Sequence, residues 1–353
     1  MNRYTVVPMN TKHNDTIAQL GNTYFAWLRQ HEGAAEEFRH ALHELMIDAG
    51  INFDRVDVRI KSWPSFKEKA KKRRGGKIVY PDPWNDIRDL IGARVTVMHS
   101  TEIPAVLRLL ADQFDVLRSV DKAQETRVSG TFGYGSHHLV LQVGEHNEEL
   151  EQYRGQVFEV QVRTVLQHAW AEFEHDVRYK RSHGELDPQI DRAFTLAAGL
   201  IELADQQFDQ IAELSNPQQQ NPSTPDTTAL LTPETLPGVL TVILGASFPL
   251  SRVDDYRFLH EILSADGVET VSALAELANP ADIEAVQNTL QTRFTPGQVR
   301  LVDDLLLNKF GQEHISRTWE SGNRPVLRKR KLTRRLAQLR EGGAPHTPLS
   351  KNA

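Results

Sequence analysis

Cysteine is missing altogether from the 353 residues. Disulfides, thiolate nucleophiles and cysteine-ligated zinc are thereby excluded, an absence that fits a reducing cytosol. Long apolar runs are missing too. No stretch approaches the roughly 18 residues of a membrane span, and the opening MNRYTVVPMNTKHND has no apolar signal core. Strong net charge is also lacking: at -6 the chain has no overall attraction to nucleic acid, so any polyanion binding would have to be local. The expectation is a cytoplasmic protein with no membrane partner. Hydrophobic residues at 39% and charged residues at 25% are ordinary for a folded chain, and the length suits two domains or one with a large appendage.

Periodicity predicts the elements. Leu20, Tyr24, Phe25 and Leu28, then Phe38, Leu42, Leu45 and Met46 beyond Gly33, have helical spacing over residues 14 to 49. RVDVRIKS alternates as a strand, and Pro64 suits the first turn of a following helix, which would align Ser65, Lys69 and Arg73 at four-residue intervals. Strands are predicted at 93 to 98, 136 to 143 and 156 to 163, with an amphipathic helix at 102 to 114. Thr164 and Gln167 have capping-box spacing, opening a helix with Leu166, Trp170, Phe173 and Val177 on its buried stripe. A further helix is predicted from about Gln189 to Leu214. SNPQQQNPSTPDTTA, residues 215 to 229, has linker composition. Short helices and a basic stretch, RKRKLTRRLAQLR, follow it. The predicted organisation is a mixed α/β domain over 1–214, a linker over 215–229 and a smaller helical domain over 230–353.

Four segments carry polar residues that packing leaves unexplained. RIKSWPSFKEKAKKRR is either a solvated basic face or a phosphate cradle. Asp89, just before a strand in DLIGARV, is either a turn residue or one of the one or two carboxylates that Mg²⁺ takes alongside phosphate oxygens and water. Tyr134, between Gly133 and Gly135 in FGYGSHHL, is either core or a stacking surface for a base. In VFEVQVRT, alternation puts Glu159, Gln161 and Arg163 on one strand face, which is either solvated or functional.

Taken in order, Arg59-Lys61-Ser65-Lys69, Asp89-Gly92-Arg94, Gly133-Tyr134-Ser136-His138, Glu159-Gln161-Arg163-Thr164 and Trp170-Glu174-His175-Tyr179-Lys180 resemble the synthetase domain of the RelA/SpoT-homologue family, and in size its small alarmone synthetases, across roughly 15 to 214. Phe132 and Gly135 depart from that pattern, where family members usually have Asn and Arg around the Gly-Tyr pair.

The resemblance implies an α+β fold, a nucleotidyltransferase-like mixed sheet flanked by helices, with a second, smaller helical domain appended. It implies transfer of the β,γ-diphosphate of ATP to the 3′-hydroxyl of GTP or GDP, with GMP a further acceptor. Mg²⁺ would be held by Asp89 and Glu159, and Glu159 would also serve as a base. Arg59, Lys61, Ser65, Lys69 and Arg73 would bind ATP, and Tyr134, His138, Gln161, Arg163 and Lys180 the acceptor. Toxic family members that modify the 3′ end of tRNA make RNA or tRNA a second candidate partner, for which the KKRRGGK run and the basic tail are suited. Arg328 to Arg335 otherwise read as a solvated helix end. Homo-oligomers also occur in the family. Bifunctional members carry an upstream hydrolase domain; the stretch ahead of Arg59 is too short for one, so no hydrolase activity is expected.

Overall fold

A computed structural model describes residues 11–122, 135–180, 188–214, 226–322 and 324–342, except for the side chains of residues 11–16, 178–180, 188 and 191. The elements begin α1 (Thr11–Gln30), α2 (Ala34–Asp48), β1 (Phe53–Ile60), α3 (Trp63–Ala70), β2 (Arg73–Arg74), β3 (Lys77–Ile78) and α4 (Pro83–Asp86). There follow β4 (Ile91–Val97), α5 (Ile103–Gln113), β5 (Asp115–Asp121), β6 (His137–Gln142), β7 (Val157–Thr164), α6 (Val165–Lys180) and α7 (Pro188–Leu214). Beyond residue 226 lie α8 (Leu236–Leu244), α9 (Val253–Ala265), α10 (Val271–Leu277), α11 (Pro280–Leu290), α12 (Gln298–Phe310), α13 (Gln312–Thr318) and α14 (Pro325–Glu341). No described helix is long and apolar enough to cross a membrane.

Two compact units result. One takes in residues up to Leu42, Arg55–Thr96 and Phe114–Arg163; the other takes in His43–Asp54, Val97–Gln113 and the residues from Thr164 onward. Helices α6 and α7 belong to the second unit together with the helices beyond residue 226. The described end of the expected linker is also anchored: the Thr227 carbonyl accepts from the Ser272 amide at 2.9 Å and that of Ala229 from Val271 at 3.1 Å.

In the first unit, alternation in β7 settles which face is core. Phe158, Val160 and Val162 have no exposed surface, while Glu159, Gln161 and Arg163 are half-buried on the other side. The Phe38 ring of α2 meets Phe158 edge-on at 5.1 Å, and Phe114 meets it at the same centroid distance. The sheet order is β1-β4-β7-β6-β5, with β6 antiparallel to both β7 and β5. Strand β5 has no counterpart among the predicted elements. Nearly all its residues are exposed, so it lacks the one-sided alternation that marks a strand in sequence. It exists through pairing with β6.

Residues 71 to 78 depart from the expected basic helix. Helix α3 ends at Ala70, and the chain turns back through Gly75 (φ +55°) and Gly76 (φ +80°), pairing Arg74 with Lys77. Positive φ at both central residues is what a two-residue type I′ hairpin demands, and Gly-Gly meets it without steric cost. Arg73 is therefore on β2 rather than on the α3 face with Ser65 and Lys69, and its guanidinium donates to the Gly76 carbonyl at 3.1 Å.

In the second unit the Thr164–Gln167 capping box is present in both directions, at 3.0 and 3.1 Å. Trp170 is buried against Phe194 of α7, but Phe173, expected on the same stripe, is 58% exposed. Among the described residues its ring lies beside the Trp170 and Phe194 rings, at 6.4 and 6.0 Å. Residues 231 to 339 share one apolar core, including Leu236, Leu240, Tyr256, Leu259 and Leu306.

The basic tail is not a solvated end. On α14, Lys331 and Arg335 are buried beside Leu332, Leu336 and Leu339, while Arg330 and Arg334 are exposed. Arg328 meets Asp303 of α12 at 2.7 Å, Arg335 meets Asp304 at 3.3 Å and Asp48 at 3.3 Å, and Lys331 meets Glu44 at 3.2 Å. Acids inside a helical core require cations, and every third or fourth residue of α14 supplies one.

Candidate active site

Lys61 immediately follows β1 and Asp89 stands two residues before β4. The Lys61 amide donates to the Leu90 carbonyl at 2.8 Å, which holds these two strand ends side by side. The Lys61 ammonium then lies 3.0 Å from Asp89 Oδ2, and the Lys69 ammonium, in the last turn of α3, lies 2.9 Å from the same oxygen. Asp89 Oδ1 is buried and has no hydrogen-bond partner among the described residues.

On β7, Glu159 Oε1 accepts from His138 Nδ1 at 3.1 Å and from Gln161 Nε2 at 3.0 Å. Arg163 donates to Gln161 Oε1 at 2.8 Å, fixing the amide so that its NH₂ faces Glu159. His138 reaches the pair because it lies opposite Gln161 in the β6–β7 register. His137 is on the other face, with Nε2 2.8 Å from Ser119 Oγ. Burial pushes the Glu159 carboxyl up, but the His138 and Gln161 hydrogen bonds and the charges of His138 and Lys69 outweigh it and hold it at about 2. Lys69 thus acts on both carboxylates.

Of the residues named from sequence, Lys61, Lys69, Asp89, His138, Glu159, Gln161 and Arg163 form these two connected groups. Arg59 is exposed, with its side chain running across Gly92, where an added Cβ would sit 3.9 Å from Arg59 Cγ. Ser65 is exposed on α3 and hydrogen-bonds Ser62 at 3.0 Å. Arg73 is on the hairpin. Tyr134 and the Lys180 side chain lie outside the described residues. Ser136, quoted in the motif but given no role, is buried with Oγ 2.7 Å from His138 Nε2. The S-x-H spacing was the available signal, since alternate residues entering a strand share a face.

Among the described residues no group of three or more His, Cys, Asp or Glu could hold a metal ion. Mg²⁺ does not need one, since it is commonly bound through one or two carboxylates together with substrate phosphates and water. The residues fit that mode: Asp89 offers a buried oxygen with no donor on it among the described residues, and Glu159 is held ionised.

Residues 58–184 match the family model described as "Region found in RelA / SpoT proteins". The GTP pyrophosphokinase YwaC of Bacillus subtilis is 29% identical over 122 residues, 35% of this chain and 56% of that protein, so the chain spans about half the length of this curated relative. Among solved structures, a GTP pyrophosphokinase family protein from Streptococcus pneumoniae is similar at TM-score 0.45 and 23% identity, over 54% of this chain and 93% of that one. Small alarmone synthetase 1 from Bacillus subtilis, bound to its product pppGpp, is similar at TM-score 0.44 and 23% identity, over 55% and 98%. Lys61, Lys69, Asp89, His138 and Glu159 all lie within the stretch that matches this family model.

Proposed function

We propose that the protein is a (p)ppGpp synthetase of the stringent response, transferring the β,γ-diphosphate of ATP to the 3′-hydroxyl of GTP or GDP, with GMP a further acceptor, and releasing AMP. The observation that carries the reading is the shared Lys69: one ammonium lies on Asp89 while its charge also acts on Glu159. Cations for a polyphosphate and two carboxylates for a metal are what phosphoryl chemistry requires at one place. The match of residues 58–184 and the name of the YwaC relative support it.

In the reaction the 3′-oxygen bonds to the β-phosphorus as the bridge to the α-phosphate breaks, AMP leaves with the bridging oxygen, and the hydroxyl proton passes to solvent water. Mg²⁺, held by Asp89 and Glu159, would neutralise charge on the phosphates. Lys61 and Lys69, with Arg59 and Ser65, bind the ATP side. His138, Gln161 and Arg163 orient the acceptor, with Tyr134 and Lys180. A carboxyl held near 2 is a poor proton acceptor near neutral pH. The main role of Glu159 is therefore metal binding and orientation of His138, rather than proton abstraction.

The exposed hairpin favours a second reading, transfer to the 3′ end of tRNA. Arg73, Arg74 and Lys77 are all exposed, and such a basic projection suits a nucleic acid backbone. One assay tests both. With γ-labelled ATP and Mg²⁺, label is expected on GTP or GDP, and absent when Glu159→Gln replaces the native chain. Label confined to deacylated tRNA, and lost on Arg74→Glu with Lys77→Glu, would replace the first reading with the second.

A further inference from the structure

Outside the carboxylate and lysine cluster, the first unit contains a cavity of about 550 Å³. Sites for small molecules occupy roughly 300 to 1,000 Å³. The cavity lies among the end of α1, the short helix α4 and the β6–β7 connection, and none of Lys61, Lys69, Asp89, His138 or Glu159 lines it.

The lining has three chemical parts. Trp27 forms a rigid floor, its indole N–H donating to Gln156 Oε1 at 3.1 Å and its ring stacked on His31 at 4.8 Å. Trp84, only half-buried, presents an aromatic surface. Arg88 and Arg154 are both exposed at the cavity. Arg154 meets Glu151 at 3.1 Å, whereas Arg88 has no hydrogen bond or ion pair among the described residues.

The amides are the third part. Asn85 spends its NH₂ on Asp82 at 2.7 Å and Gln142 spends its NH₂ on the Gly155 carbonyl at 2.9 Å. Among the described residues neither carbonyl oxygen has a donor.

We propose that this cavity is a second ligand site, for a nucleoside diphosphate. The guanidinium groups of Arg88 and Arg154 provide the fork geometry that phosphates favour. Trp84 offers a stacking surface to a planar base, and the Asn85 and Gln142 carbonyls accept from its N–H groups. The lining contains too few apolar groups for a lipid-like ligand, and the cavity is far larger than an inorganic anion needs. Arg88 immediately precedes Asp89, so a ligand here would bear directly on the backbone that positions that carboxylate. The inference does not depend on which acceptor the active centre uses.

The test is hydrogen–deuterium exchange on the full chain with GDP, ADP or inorganic phosphate. GDP or ADP is expected to slow exchange across residues 84–88 and 152–157. That protection should persist in Lys61→Ala/Lys69→Ala, which disables the active centre. It should need at least tenfold more nucleotide in Arg88→Ala/Arg154→Ala, and also in Trp84→Leu, which keeps both cations. Protection lost in the lysine variant would return the effect to the active centre and overturn the site. Equal protection by inorganic phosphate alone would overturn a nucleotide ligand, and no protection by either nucleotide would overturn the proposal outright.

Discussion

Asp89 holds two ammonium groups on one oxygen, and its other oxygen has no partner among the described residues, so its charge matters more than its shape. Asp89→Asn is nearly isosteric, and losing one preorganised charge of this kind typically costs about 10² to 10³ in rate. Labelled transfer from ATP should fall by that much while the melting curve keeps its cooperativity; unchanged transfer would remove Asp89 from the site. Glu159 carries a second prediction. Its folded pKa, about 2, lies below the ordinary 4.5, so its contribution is fully present above about 4.5 and is lost as pH falls through 2. At about 1.4 kcal/mol per unit the contribution is at most about 3 kcal/mol. Urea midpoints followed from pH 5 to pH 2 should therefore fall more steeply for the native chain than for Glu159→Gln. Parallel acid limbs would contradict the hydrogen-bonded, ionised carboxylate.

Strand β7 performs two tasks because its residues alternate. Phe158 anchors the core face that keeps Glu159 aimed the other way. Phe158→Ala should cost about 3 to 5 kcal/mol in chemical denaturation, since Phe38 and Phe114 cannot both collapse into the space. The β2–β3 hairpin is the opposite case. A Cβ on Gly76 would meet nothing within 4 Å, so Gly76→Ala tests backbone conformation alone. An L-residue at φ +80° costs about 1 to 2 kcal/mol. Trypsin should then cleave at Arg73 and Arg74 faster, with no change in global melting. Unaltered cleavage would mean that the positive φ values do not hold the turn.

Over the whole molecule, helices α12 to α14 are tied by buried charge as well as by apolar contact. Arg335→Met removes one of the two guanidinium groups on Asp48 and Asp304, Arg300 being the other, and should cost about 1.5 to 3 kcal/mol. Arg330→Ala, at an exposed position five residues earlier on the same helix, should stay within about 0.5 kcal/mol. Equal losses would refute the inward-facing stripe. Burial lowers the pKa of His314, but its hydrogen bonds to Asp266 and Asp303 and their charges outweigh burial and raise it above 6.5. Its contribution is thus fully present below pH 6.5 and is lost as pH rises through the raised value. Stability measured from pH 6 to pH 9 should decline less in His314→Gln than in the native chain.

The sequence by itself determined what depends on neighbours along the chain. Alternation in residues 157 to 163 separated the core face from Glu159, Gln161 and Arg163, and the Thr164–Gln167 spacing marked the turn from strand to helix, because period and capping are local properties. Motif order brought Lys61, Lys69, Asp89, His138 and Glu159 into one candidate site. Only the tertiary structure decided the rest. It ended α3 before Arg73, made an edge strand of DVLRSVD by pairing it with β6, left Phe173 largely exposed among the described residues, and turned Arg328, Lys331 and Arg335 inward. Each of these outcomes was set by a partner distant in sequence. A basic helix looks the same in sequence whether it faces water or the buried acids Asp303 and Asp304, and only packing chooses between them.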